Sequence, residues 1–106
     1  MKIVGYARVS NNFQPCTQQE QILKAEGCTD VETDIHSGES VSIKLENLCE
    51  QLENGDILKV VQVDRISRKP EETLELIERF VNKGIRVVSI IDGFDTLYPN
   101  WREYFR

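Results

Sequence analysis

The sequence predicts a three-layer α/β domain, a mostly parallel sheet of four or five strands with helices on both faces. Three observations point there. Short apolar runs alternate with amphipathic segments along the chain, the pattern of strands joined by helical crossovers. Residues 57–63 are apolar except at Lys59 and Gln62, as a strand covered on both faces requires. Glycines stand where each amphipathic segment ends, at Gly27, Gly55 and Gly84.

Residues 2–9 read as the first strand. Residues 16–26 read as a helix, with Pro15 just before it and Gly27 behind its last turn. Residues 30–35 form a weaker strand, and 36–42 (His-Ser-Gly-Glu-Ser-Val-Ser) have loop chemistry. The second helix, about 43–53, sets Ile43, Leu45, Leu48 and Leu52 within a helical period and stops at Asn54-Gly55. After the strand at 57–63, Pro70-Glu71-Glu72 opens the third helix with a proline suited to its first position and acids suited to the positive end of its dipole. Leu74, Ile77, Phe80 and Val81 make its apolar stripe, Lys83-Gly84 closes it, and 85–91 is the last strand. Short right-handed crossovers allow a strand order such as 2-1-3-4, with the first and third strands adjacent; the sequence alone does not fix that order.

At 106 residues the chain is one domain. No apolar run approaches the roughly 20 residues that span a bilayer, and the N-terminus runs straight into a strand, so neither a membrane helix nor a signal peptide is read and the cytoplasm is the default. Cys16, Cys28 and Cys49 are odd in number, lack C-x-x-C spacing and have only His36 for company, which argues against a metal site or a disulfide framework. A net charge of -5 argues against a surface that binds nucleic acid all over. The acids, however, crowd the helices, whereas Arg8, Arg65, Arg68 and Lys69 sit at strand ends, where a local basic crevice can hold a phosphate.

Arg8 and Ser10 lie two apart at the end of the first strand, so they leave it on the same face. Asp64-Arg65-Ile66-Ser67-Arg68 closes the later apolar run. If those strands are neighbours, three guanidiniums and one hydroxyl converge where ligands of open parallel sheets bind, beyond the strands' carboxyl ends. Arginine forks match phosphate oxygens, and a serine needs such charge stabilisation to act as a nucleophile, so the set suits a phosphate diester. Asp64 is an acid-base or arginine-orienting candidate. Taken singly each residue has a plainer reading: Ser10 as a turn residue, Asp64-Arg65 as a surface ion pair, Gln14 and Gln19 as solvated helix positions.

The residues Tyr6-Ala7-Arg8-Val9-Ser10, then Gln14 and Gln19, Asp34, Ser37-Gly38, Gly55-Asp56 and Asp64-Arg65-Ile66-Ser67-Arg68, in that order, resemble the catalytic domain of the serine recombinases, the resolvase and invertase family. The resemblance covers residues 1–96 and leaves 97–106 as a short aromatic tail with no DNA-binding domain. It implies a resolvase-like fold and attack of Ser10 on a DNA phosphodiester, giving a 5′-phosphoseryl intermediate before strand exchange and rejoining. Arg8, Arg65, Arg68 and Asp64 would be the other catalytic residues, and Gln14, Gln19, Asp34 and Ser37 supporting groups. It further implies DNA as partner, a homodimer or tetramer, and no metal or nucleotide cofactor.

Two departures modify that expectation. The family carries an arginine after the Ser-Gly of its mobile loop; here Gly38 is followed by Glu-Ser-Val-Ser-Ile-Lys44, with no arginine between Arg8 and Arg65. Lys44 is a point charge and offers no bidentate contact, so low or absent strand cleavage is expected. Family members also continue into a long helix and a DNA-binding domain, where this sequence ends after Tyr98, Trp101, Tyr104 and Phe105, aromatics expected to pack on the sheet or in a self-association interface. The alternative is a regulatory paralogue that forms a hetero-oligomer with a full-length recombinase. A response-regulator domain would need clustered carboxylates at the first strand's end, and a cysteine phosphatase would need Cys-x5-Arg; neither is present.

Overall fold

A computed structural model describes residues 1–106. In chain order the elements are β1 (Ile3–Val9), α1 (Thr17–Ala25), β2 (Asp30–Ile35), α2 (Ile43–Gln51), β3 (Ile57–Val60), a 3₁₀ turn (Val63–Arg65), α3 (Pro70–Asn82), β4 (Arg86–Ser89), β5 (Phe94–Asp95) and a second 3₁₀ turn (Trp101–Phe105). The sheet order is β2-β1-β3-β4-β5, parallel except for β5, which runs antiparallel to β4. β1 and β3 are therefore neighbours, and the order reverses between them.

Alternation along the strands divides the core into two layers. Val4 and Tyr6 of β1, Leu58 and Val60 of β3 and Val87 of β4 pack against Leu45, Leu48 and Cys49 of α2 and Leu76, Ile77 and Phe80 of α3. On the opposite face Ala7 and Val61 meet Leu23 of α1 and Cys28. α1 lies so close that a Cβ on Gly5 would sit 3.0 Å from Leu23 Cδ1, 3.1 Å from Leu23 Cβ and 3.2 Å from Cys28 Sγ. Gly5→Ala is expected to lower unfolding free energy by about 1 kcal/mol in urea denaturation, the overpacking outweighing the methyl it buries. At the turn after α3, Gly84 has φ +79°, a conformation that favours glycine.

Four expectations need correction. The third strand stops at Val60 rather than 63: the chain bends, and Val63 reaches the core from the 3₁₀ turn instead of from the sheet. The fourth strand stops at Ser89 rather than 91, because Gly93 turns the chain back into β5, an element too short to leave a periodic signal. The buried stripe of α3 is Thr73, Leu76, Ile77 and Phe80, with Leu74 and Val81 only partly covered at its flanks; Thr73 is drawn inward by a hydrogen bond to the Ser67 carbonyl. Ile43 is exposed, and Cys49 holds the α2 core position with Leu45 and Leu48.

The aromatic tail packs on the domain. Trp101 joins the main core cluster, and Phe94 makes edge-on contacts with Trp101, Tyr104 and Phe105 at centroid distances of 6.0, 5.4 and 5.7 Å. No helix is long and apolar enough to cross a membrane.

Candidate functional site

β3 turns away after Val60 while β1 continues to Val9, so the last residues of β1 lose their ladder partner on that side. The Val9 carbonyl faces β2, where it accepts from the His36 N–H; the Arg8 amide and carbonyl therefore face the gap. Side chains fill it. Gln19 of α1 accepts from the Arg8 N–H at 3.1 Å and donates to the Arg8 carbonyl at 2.8 Å, mimicking a strand. Arg65 Nη1 donates to the same carbonyl at 3.2 Å. Gln14 Oε1 accepts from the Ser10 N–H at 2.9 Å, fixing the turn that carries the hydroxyl. Ser10, Gln14, Gln19 and Arg65 thus meet at the carboxyl end of β1, where the sheet order reverses.

Arg65 is incompletely satisfied. Its Nε makes no hydrogen bond but forms a salt bridge with Asp64 Oδ1 at 3.6 Å, and Nη2 donates to Gln62 Oε1 at 3.5 Å. An N–H without a hydrogen-bond acceptor leaves donor capacity on a guanidinium that an added anion can use.

The other two arginines lie differently. Arg8 is 5 % exposed, and its guanidinium is turned under the β2–α2 loop. Nε donates to the His36 carbonyl (3.2 Å), Nη1 to those of Ser40 (3.5 Å) and Ile66 (3.4 Å), and Nη2 to that of Gly38. Arg68 is exposed, and its backbone N–H, not its side chain, bonds the Glu39 carbonyl at 2.9 Å. Asp64 is exposed beside Arg65, and Ser37 is exposed on the loop. Lys44 bonds the Thr33 carbonyl at 2.5 Å and lies 3.9 Å from Glu32, on the outer side of β2.

Asp34 belongs to a polar network that sequence reasoning missed. The Tyr6 hydroxyl donates to Asp34 Oδ2 at 2.6 Å and lies 3.0 Å from Ser42 Oγ, which also caps α2 by accepting from the Leu45 N–H at 3.1 Å. The signal for the cap was present, a serine directly before an apolar-periodic run. Burial raises the Tyr6 pKa, and the hydrogen bond to Asp34 raises it further. Burial also pushes Asp34 up, but hydrogen bonds from Ser42 and Tyr6 and the charge of Lys44 more than offset it and hold the carboxyl below its usual range. Asp56 is held low by the Glu53 and Lys2 N–H groups, and Asp95 by Arg86, whose Nη2 stands 2.5 Å away.

These depressed carboxyls set the acid limit of the fold. A group whose folded pKa lies below its unfolded value, near 4 for aspartate, contributes stability that is present above that value and lost as pH falls through the folded one. The melting temperature is therefore expected to be level from neutrality to about pH 5 and to fall below about pH 4. Asp95→Asn is expected to lower the neutral-pH value and flatten the acid decline, read by circular dichroism melts across that range.

The family profile described as "Resolvase, N terminal domain" matches residues 3–106. The DNA-invertase of Escherichia phage P1 is 33% identical over 104 residues, which is 97% of this chain and 56% of the invertase. The transposon Tn3 resolvase of Escherichia coli is 36% identical over 99 residues, 91% of this chain and 54% of the resolvase. Among solved structures, a serine recombinase from Sulfolobus solfataricus superposes with a TM-score of 0.69 at 28% identity over 84% of this chain and 67% of that one. The N-terminal catalytic domain of TP901-1 integrase reaches a TM-score of 0.76 at 24% identity over 99% of this chain and 88% of that one, a likeness of fold. The chain spans about half the length of the phage P1 and Tn3 relatives.

Proposed function

Because this chain belongs to the resolvase N-terminal domain family, a family of site-specific recombination, we propose that it is a domain for serine-mediated DNA strand cleavage and rejoining with low intrinsic activity. The Ser10 oxygen forms a bond to a backbone phosphorus as the bond from phosphorus to the 3′ oxygen breaks. The serine gives up its proton, and the departing 3′ oxygen gains one. The DNA keeps a 5′-phosphoseryl link, and reversal on a new 3′ hydroxyl rejoins the strands. The observation that carries this reading is the Arg65 guanidinium, held by Nη1 on the Arg8 carbonyl against the strand end that leads into Ser10, with an Nε that makes no hydrogen bond.

Arg65 stabilises the negative charge that grows on the non-bridging oxygens. Gln14 and Gln19 hold the β1 end that delivers the hydroxyl, and Asp34 holds β2 and the start of α2 through Tyr6 and Ser42. Asp64 orients Arg65 from outside the crevice, and Arg68 and Arg8 approach the phosphate when the 36–40 loop moves, with Ser37 on that loop. DNA is the partner, the protein acts as a dimer or tetramer, and its compartment is the cytoplasm.

A second reading is favoured by one observation: the loop supplies no arginine, and its carbonyls occupy the one on β1. On that reading the chain is a regulator that pairs with a full-length recombinase. One experiment separates the two. Plasmid DNA incubated with the protein, denatured and digested with protease, should yield a small amount of nucleotide-linked Ser10 peptide by mass spectrometry, and none from Ser10→Ala. An adduct unaffected by Ser10→Ala would overturn the nucleophile assignment. No adduct at all, with co-purification of a longer recombinase, would favour the regulator.

A further inference from the structure

Arg8 presents an unusual balance of charge. Its guanidinium is almost wholly buried, yet every acceptor it has is a neutral carbonyl: His36, Gly38 and Ser40 from the loop, and Ile66 from the segment before α3. Buried cations are ordinarily paired with an anion. The loop is also held from its other side. The Glu39 carbonyl accepts from Ser67 Oγ at 2.9 Å and from the Arg68 N–H at 2.9 Å, and the His36 ring Nε2 lies 3.2 Å from the Ser40 carbonyl. Residues 36–40 therefore form a compact strap that spans from β2 to the start of α3 and covers the arginine.

We propose that the 36–40 strap is an autoinhibitory clasp: its carbonyls stand in for an anion at Arg8, and an anion reaches that guanidinium only when the strap lifts. The proposal rests on the phosphodiester reading of the crevice but concerns access to one of its arginines. Four features support it. The strap lies between regular elements, most of its residues are exposed, its contacts with Arg8 are all made by backbone oxygens, and the bonds on its outer side come from Ser67 and the Arg68 backbone. Lifting it exchanges carbonyl dipoles for a full negative charge, a stronger partner for a guanidinium.

The test uses the whole chain and inorganic phosphate, and no DNA. Ser67→Ala removes one bond from the outer side of the strap, and His36→Ala removes one within it; neither deleted side chain touches the Arg8 guanidinium, and the His36 carbonyl that does is kept. In wild-type protein the Arg8 Nε–H signal should exchange slowly with water and shift little with phosphate. Each variant should speed that exchange about five-fold, the change in equilibrium that loss of one net hydrogen bond produces, and strengthen the phosphate-dependent Arg8 shift by a similar factor. Thermal melts establish that a variant is folded, and two variants on different bonds guard against loss of one. Fast Arg8 exchange in wild type would overturn the clasp, as would faster exchange of the strap amides in both variants with no gain in the Arg8 response to phosphate. Strand cleavage enters neither readout, so failure of the nucleophile assignment and failure of the clasp remain distinguishable.

Discussion

Arg65→Ala is expected to lower the rate of phosphoseryl adduct formation by a factor of about 10² to 10³, the usual cost of removing one donor from a developing oxyanion. The effect should be this large because the residue is already placed. Nη1 is anchored on the Arg8 carbonyl, so the guanidinium is held beside the strand end that leads into Ser10. Arg65→Lys keeps the charge but loses the fork, and is expected to recover only part of the rate. The measurement is the initial rate of adduct formation on plasmid DNA, with unfolding curves for both variants to show that the fold persists. A fall of less than about threefold for Arg65→Ala would place the transition-state charge elsewhere, since that is well below the usual loss for one such donor.

Arg8→Ala is expected to reduce folding stability by about 3 kcal/mol, chiefly by abandoning the carbonyls that the guanidinium now satisfies. Those acceptors are not equivalent. The loop carbonyls of His36, Gly38 and Ser40 turn to water once the strap lifts, but Ile66 is fully buried and its oxygen has no such escape. The variant should therefore show two signatures together: a lower urea midpoint, and loss of amide protection confined first to residues 36–40. Loss of the arginine also removes a desolvated charge, which offsets part of the cost. A change below about 0.5 kcal/mol would mean that this relief cancels the lost bonds and that Arg8 does not hold the loop in place.

The sheet was legible because its signals are local. Apolar runs mark β1, β3 and β4 and glycine stops mark the helix ends, while the crossover rules allow β1 beside β3, the observed order, without fixing it. Where the reading failed, burial had been reached by another route. Val61 and Val63 are as buried as strand residues, but they lie past the bend that ends β3, and apolarity does not distinguish a sheet position from a 3₁₀ turn that dips into the core. β5 has two residues and no period to detect.

The candidate site was legible as a set of residue types and less so as a geometry. Pairing Arg8 with Ser10 by strand alternation located both at the end of β1, but the direction of a long side chain depends on what covers it. Here the cover is a loop whose bonds come from Ser67 and the Arg68 backbone, far along the chain. Gln19 looked like a solvated helix position because nothing local shows that β3 leaves β1 early and opens a gap for its amide. Tyr6 and Ser42 were passed over for a similar reason, since their shared partner, Asp34, sits on a third element.

On the proposed function, the hydroxyl of Ser10 and the guanidinium of Arg65 engage the same phosphate diester. The most direct test is an NMR titration of the protein with a dithymidine phosphodiester, following the Ser10 backbone amide and the Arg65 Nε–H. The two signals should move together along one saturation curve, and Arg65→Ala should abolish the shift at Ser10. Movement at Arg65 with Ser10 unmoved, or binding that leaves both in place, would contradict it.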